Sequence, residues 1–258
     1  MYNVAFNFNL IIMAGHSKWA NIQHRKKKQD NKRGKVFTKI IREITVTSRM
    51  GGSDMTSNPR LRLAVDKALG ANMPKDTIER ATKRGAGELE GVQYAEVRYE
   101  GYGPCSVAFM VDCLTDNRNR TVAEIRHAFL KHNGELATAG SVAFLFNKQG
   151  HILYPPESDE DKIMEIAIDN GATDVITEDD NSITVICNEE SFFKLKEELI
   201  KNNLNPTDSD ITMQTTTSVD LNQDDATKVL KLIETLEDLD DTQDVWTNAN
   251  IPDEFFDE

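Results

Sequence analysis

GATDVITEDDNSITVICNEE, residues 171–190, is the stretch from which the fold can be read. Two β-rich runs, 173–178 and 182–187, stand side by side with only Asp179, Asp180 and Asn181 between them. A helix pattern precedes them at 159–169 and is stopped by Asn170-Gly171; another follows at 189–202. Outside these lie a strand at 142–153 and a strand at 209–217. The order is β-α-β-β-α-β, the split βαβ of a ferredoxin-like sandwich.

Residues 94–99 and 105–113 read as strands joined by Gly101-Tyr102-Gly103-Pro104, a GxG turn without the following glycine and helix start of a dinucleotide site. A helix is expected from Thr121, where Thr121 and Glu124 spell a capping box, through Val122, Ile125 and Phe129 to Asn133-Gly134. Near the other end, Asp224 to Asp238 carries Ala226, Val229, Leu230, Ile233 and Leu236 at helical spacing, and a strand holding Val245 and Trp246 follows. These two elements complete the hairpin and helix of 92–140. Residues 91–140 plus 218–250 are therefore expected to form a discontinuous α+β domain with 141–217 inserted in it. Three domains in linear order is the alternative.

Residues 13–90 read differently. From Lys32 to Arg49 the apolar residues Phe37, Ile40, Ile41 and Ile44 fall in one sector of a helix, and Lys32, Lys35, Lys39, Arg42 and Arg49 fall nearly opposite. Gly51-Gly52 ends this helix, and Asn58-Pro59 opens a second with a cap residue and a proline at the first helical position. Leu61, Ala64, Val65, Ala68 and Leu69 form its stripe up to Gly70. Pro74 begins a third helix with Ile78 and Ala81, closed by Lys83-Arg84-Gly85-Ala86-Gly87. The fold class is α+β: an N-terminal helical bundle followed by two α+β domains, at least one of them ferredoxin-like.

Charge divides along the same boundary. Residues 1–90 hold 18 Lys+Arg against 8 Asp+Glu, and residues 91–258 hold 12 against 35, so a segment of +10 is joined to one of -23. Such segregation marks a polyanion-binding module on an acidic body, with a solvated helix surface as the alternative. Ahead of the long helix, Arg25, Lys26, Lys27 and Lys28 are adjacent and cannot share one helical face, which suits an arm. Lys18 and Trp19 set an ammonium beside an indole that can stack on an unpaired base, or else anchor the arm to its own bundle. The candidate nucleic-acid contacts are Lys18, Trp19, Arg25, Lys26, Lys27, Lys28, Lys32, Arg33, Lys35, Lys39, Arg42 and Arg49.

Several classes are excluded by what the chain lacks. It has no Walker A loop, GxSxG elbow or HExxH, and the close histidines His127 and His132 are five apart, on different helix faces. No catalytic residue, metal or cofactor is expected. Cys105, Cys113 and Cys187 are odd in number and lack CxxC spacing, which points to strand-packing residues in a reducing cytosol. No run reaches the roughly 18 apolar residues of a membrane span. Residues 1–12 read as an extension ahead of a start at Met13, and residues 251–258 as an acidic, aromatic tail.

The blocks AGHSKWANIQHRKKKQDNKRGKVFTKIIREI, NPRLRLAVDKALGANMPKDTIERATKRGAG, YEGYGP, TDNRNRTVAEIRHAFLKHNGELATAGSVAFLF and LEDLDDTQDVWTN resemble the YebC/PmpR family from Met13 to about Asn250. The resemblance implies a three-domain cytoplasmic protein, a probable transcriptional regulator that binds DNA. It also implies an alternative: a translation factor that binds ribosomal RNA and relieves stalling on proline-rich nascent chains. The family's basic block maps onto Lys18, Trp19, Arg25, Lys26, Lys27, Lys28, Lys32, Arg33, Lys35 and Lys39. The acidic domains are expected to contact transcription or ribosomal proteins, and no membrane. Two departures, TMQTTTSVDL without a usual proline and VWTN in place of VYHN or VYTN, fall in the acidic domains.

Overall fold

The structure, a computed structural model, describes residues 33–251. Helices α1 (Arg33–Gly51), α2 (Pro59–Gly70) and α3 (Lys75–Gly85) form the bundle, burying Ile40 and Ile44, Leu61, Ala64, Val65 and Ala68, and Ile78 and Ala81 in one cluster. Asn58 does two jobs at the α1–α2 corner. Its side-chain oxygen accepts the Leu61 N–H at 3.1 Å, capping α2, while its Nδ2 donates to the carbonyls of Thr47 and Gly52. Where α1 crosses α3 the backbones nearly touch: a Cβ at Gly85 would lie 2.3 Å from the Thr45 carbonyl oxygen. Any side chain there would force the two helices apart.

Beyond the bundle, β1 (Ala95–Tyr102) and β2 (Ala108–Thr115) form a hairpin, followed by α4 (Arg118–Lys131) and the short β3 (Glu135–Leu136). The chain then lays down β4 (Phe146–Tyr154), α5 (Glu160–Asp169), β5 (Ala172–Thr177), β6 (Ile183–Asn188), α6 (Glu189–Lys201) and β7 (Asp208–Thr215). It continues through β8 (Val219–Asp220), α7 (Gln223–Glu237), β9 (Thr242–Thr247) and β10 (Ala249–Asn250). Two four-stranded antiparallel sheets result, β3-β1-β2-β9 and β5-β6-β4-β7. The second has the ferredoxin-like order read from 171–190 and its flanks. In the first, β9 joins a hairpin laid down more than a hundred residues earlier, with Val245 opposite Val111.

Each sheet carries its helices on one face. Helices α4 and α7 cover the first sheet through Ile125, Phe129, Val229 and Leu232, and Phe129 meets Phe109 edge-on at 5.8 Å. Helices α5 and α6 cover the second through Ile163, Ala167, Phe192, Leu195 and Leu199. Ala108, Met110, Val142 and Phe146, with Met213 and Trp246 against them, make a smaller apolar cluster between the two sheets.

Four local expectations are corrected. Helix α4 begins at Arg118 because the Asn117 side chain accepts the Arg120 N–H; Thr121 is no cap, and its hydroxyl is turned inward to Asp241 at 2.7 Å. Residues 104–106 form a 3-10 turn with Cys105 and Ser106 both at φ 59°, so β2 starts at Ala108 and Cys105 is exposed, whereas Cys113 and Cys187 are buried strand residues. The strand expected from residue 142 begins at Phe146, since Glu100 accepts the N–H groups of Gly140, Val142 and Ala143 at 2.7–2.9 Å and withdraws them from any ladder. Burial works to raise the Glu100 carboxyl, but these three bonds outweigh it and hold it below the usual range. Finally, Leu69 is 47% exposed and outside the bundle core, while Leu63, absent from the expected stripe, is buried.

Candidate nucleic-acid interface

Helix α1 has the amphipathic form its sequence requires, yet much of its charged face is occupied by the protein itself. Lys35 Nζ donates to the Asp238 carbonyl at 2.9 Å and lies 3.7 Å from that residue's carboxylate; Lys39 Nζ donates to the Glu237 carbonyl at 3.0 Å. These carbonyls end α7, where the last turn of a helix leaves unpaired acceptors and the negative end of its dipole. Helix α7 has no basic residue in its own last turn, and α1 supplies the cations instead. Burial lowers the Lys39 ammonium from its ordinary value, with Lys35 adding to the effect, against the attraction of Glu237, Asp244 and Asp238.

Arg42 is fixed more firmly. Its Nη1 reaches the Asp241 carboxylate at 2.9 Å, the Leu114 carbonyl at 3.3 Å and the Asp240 carbonyl, and its guanidinium lies 5.4 Å from the centre of the Tyr94 ring. Asp241 is 1% exposed and also accepts from Arg120, Thr115 and Thr121 at 2.7–2.9 Å. Burial opposes the charge on Asp241, but the bonds from Arg120, Thr121 and Thr115 prevail and keep its carboxyl below the usual range. The aspartate is thus a buried anchor shared by an arginine of the bundle and one of the first sheet unit.

The candidate residues therefore divide. The structure places Arg42 and Lys39 in the contact between the bundle and the first sheet unit, correcting the expectation that they face outward. Lys35 stays about half exposed beside Asp238, and Arg49 is exposed while donating to the Val92 carbonyl at 3.2 Å. Arg33 is the first residue of α1. Lys18, Trp19, Arg25, Lys26, Lys27, Lys28 and Lys32 lie outside the described residues, as do the extension 1–12 and the tail beyond Ile251.

Helix α2 ties the bundle to the second sheet unit. Arg62 pairs with Glu197, Asp66 with Lys196 at 3.3 Å, and Lys67 bridges Glu43 at 3.6 Å and Asp210 at 3.2 Å. Leu63 belongs to the apolar cluster under α6, which explains its burial. Sequence reading missed all of these, because their partners are far along the chain or on another helix and meet only in the fold. The three units enclose a cleft of about 410 Å³ whose walls include Lys67, Asp210, Arg98, Asp244, Gln243 and Trp246. Asp244 opens onto the cleft; desolvation by the protein around it, then Asp210, Glu43 and Asp112, raise its carboxyl against the pull of Lys67. No described helix is long and apolar enough to cross a membrane.

Residues 17–88 match the model of the TACO1/YebC protein N-terminal domain, and residues 94–249 that of the TACO1/YebC second and third domain. The chain belongs to the TACO1/YebC family. The resemblance carried by the sequence blocks is thereby shown. A relative from Coxiella burnetii (strain Dugway 5J108-111) is 61% identical over 242 residues, covering 94% of this chain and 99% of its own. One from Thioalkalivibrio sulfidiphilus is 62% identical, covering 94% and 97%. Both are named probable transcriptional regulatory proteins. The crystal structure of a conserved hypothetical protein from Aquifex aeolicus superposes with a TM-score of 0.81 at 45% identity, covering 94% of this chain and all of that one.

Proposed function

We propose that this TACO1/YebC protein is a non-catalytic regulator of gene expression that binds DNA through phosphate contacts from its basic arm. The arm cations are Lys18, Arg25, Lys26, Lys27, Lys28, Lys32 and Arg33, with Lys35 and Arg49 at the exposed margin of α1. Arg42 and Lys39 are read as fixing the bundle on the first sheet unit. The acidic sheet units then serve protein contacts and repel further polyanion. One observation carries this reading: a +10 segment joined to a -23 segment in one chain. The names of the relatives support it.

The test is the salt dependence of binding to duplex DNA and to a structured RNA hairpin, for the full chain and for the variant Arg25→Gln/Lys26→Gln/Lys27→Gln/Lys28→Gln. Neutralising four phosphate contacts should lower the log-log salt slope by about 3 to 4 units. An unchanged slope and affinity would place the site elsewhere. Tighter binding to the hairpin than to the duplex would replace DNA by RNA as the target.

A further inference from the structure

The cleft between the bundle and the two sheet units, at about 410 Å³, has the size of a small-ligand site. Its walls carry charge from all three units, and nearly all of that charge is matched. Arg60 pairs with Glu96 at 2.8 Å, Arg98 with Asp112 at 2.6 Å and Lys148 with Glu189 at 2.6 Å, while Lys67 bridges Asp210 and Glu43. Every cation lining the cleft thus has a carboxylate, and one acid has no cation. Asp244 is exposed and makes no hydrogen bond or ion pair with any described residue. The strand turns it there together with its neighbour. Strand β9 slips register against β2 between Asp112 and Cys113, which makes Gln243 the extra residue of a bulge, and Gln243, Asp244 and Trp246 all line the cleft. In a regular strand Gln243 would face away from the other two. Gln243 Nε2 and Trp246 Nε1 are buried donors without an acceptor, so this wall holds hydrogen-bonding capacity that the fold does not use.

We propose that this cleft binds an alkylammonium or alkylguanidinium group, its charge at Asp244 and its stem against Val46, Leu63, Phe193, Met213 and Trp246. Charge selects a cation. An anion would find each lining cation already beside a carboxylate, whereas Asp244 gains the partner it lacks. A metal ion does not fit, because no group of three or more His, Cys, Asp or Glu side chains among the described residues could hold one. The apolar wall favours a charged head on a carbon stem. The unused donors of Gln243 and Trp246 favour a carbonyl near that stem, as a lysine within a polypeptide has. The site is independent of the DNA-binding reading and uses none of its cations.

Protonation gives the site a signature. Desolvation, then Asp210, Glu43 and Asp112, push the Asp244 carboxyl up to about 7 against the pull of Lys67. Besides the paired groups of the wall, Lys39 feels the charge of Asp244, and Cys113 lines the cleft with a thiol that burial pushes up to about 12. No histidine lines it. A cation needs Asp244 charged, so binding is full above this value and is lost as pH falls through it, by about tenfold from pH 8 to pH 6.

Nuclear magnetic resonance titration of the isotope-labelled full chain with agmatine and with Nα-acetyl-lysine N-methylamide tests the site, read from the Trp246 indole N–H signal. A saturable shift is expected. Asp244→Asn, an uncharged isostere at a carboxyl already raised, should keep the melting temperature, weaken binding about tenfold or more and abolish the pH dependence. Glu96→Gln, on the same wall but paired with Arg60, should weaken binding less than about threefold. Equal losses in the two variants would reduce the site to diffuse attraction and overturn it. So would the absence of a saturable shift with either probe at about 10 mM, or saturable binding of methyl phosphate in their place. Tighter binding of the lysine amide makes a lysine of a partner polypeptide the occupant, tighter binding of agmatine makes it a free amine, and each upholds the cation site.

Discussion

Helices α1 and α3 both present charged faces, and they use them differently. On α3 the charges pair within the helix, Arg80 with Asp76 at 2.9 Å and Lys83 with Glu79 at 2.6 Å, each four residues apart and exposed. On α1 the single acid, Glu43, faces Lys67 of α2, and Lys35, Lys39 and Arg42 take partners 198 to 203 residues away, on the end of α7 and the turn before β9. Cations that outnumber the acids of their own helix have partners to find elsewhere. The lesson is that unmatched charge announces a partner without saying whether it is another molecule or another part of the same one.

Substitutions at the two helices should separate them. The largest effect is expected at Asp241→Ala, which leaves Arg42 and Arg120 without their buried carboxylate and should cost about 3–5 kcal/mol in denaturant unfolding. A loss no greater than that of an exposed pair would show that the anchor does not hold. Leu63→Ala comes next, at about 2–4 kcal/mol, because its side chain fills the cluster under α6; Leu69→Ala, half exposed, should stay within about 0.5 kcal/mol. Equal effects at 63 and 69 would contradict the placement of α2. At the small end, Arg80→Ala on α3 should change stability by no more than about 0.5 kcal/mol.

Acid should act on the anchor as well. Asp241 and Glu100 are both held below the ordinary carboxylate range, so the stability they give is present above that range and lost as pH falls through their lowered values. Stability curves against pH should therefore fall on the acid side, and Glu100→Gln should shrink that fall while lowering stability near neutrality. An acid limb identical in the variant would remove Glu100 from the account.

The sequence showed this molecule's local signals well and its distant ones poorly. Asn58-Pro59, Gly51-Gly52 and the split order around 171–190 were legible because each is written within a few neighbouring residues. The destination of the α1 cations was not, since Asp241 and the carbonyls of Glu237 and Asp238 are brought to them only by the folded chain. Thr121 misled for the same reason: its spacing to Glu124 fits a cap, while its hydroxyl serves Asp241. Leu63 sits off the bundle stripe because it answers to a different core. A deletion running from Met13 to Arg49, which charge alone suggests as a clean way to remove the binding segment, would strip Arg42 from Asp241 and damage the acidic body too. Ending the deletion before α1 spares it.

The central claim is that Arg42 belongs to the protein's own architecture. A double-mutant cycle of Arg42→Ala and Asp241→Ala, read by equilibrium unfolding, tests it most directly. Coupling of about 2 kcal/mol or more is predicted for a buried, hydrogen-bonded pair, and effects that add to within about 0.5 kcal/mol would contradict it.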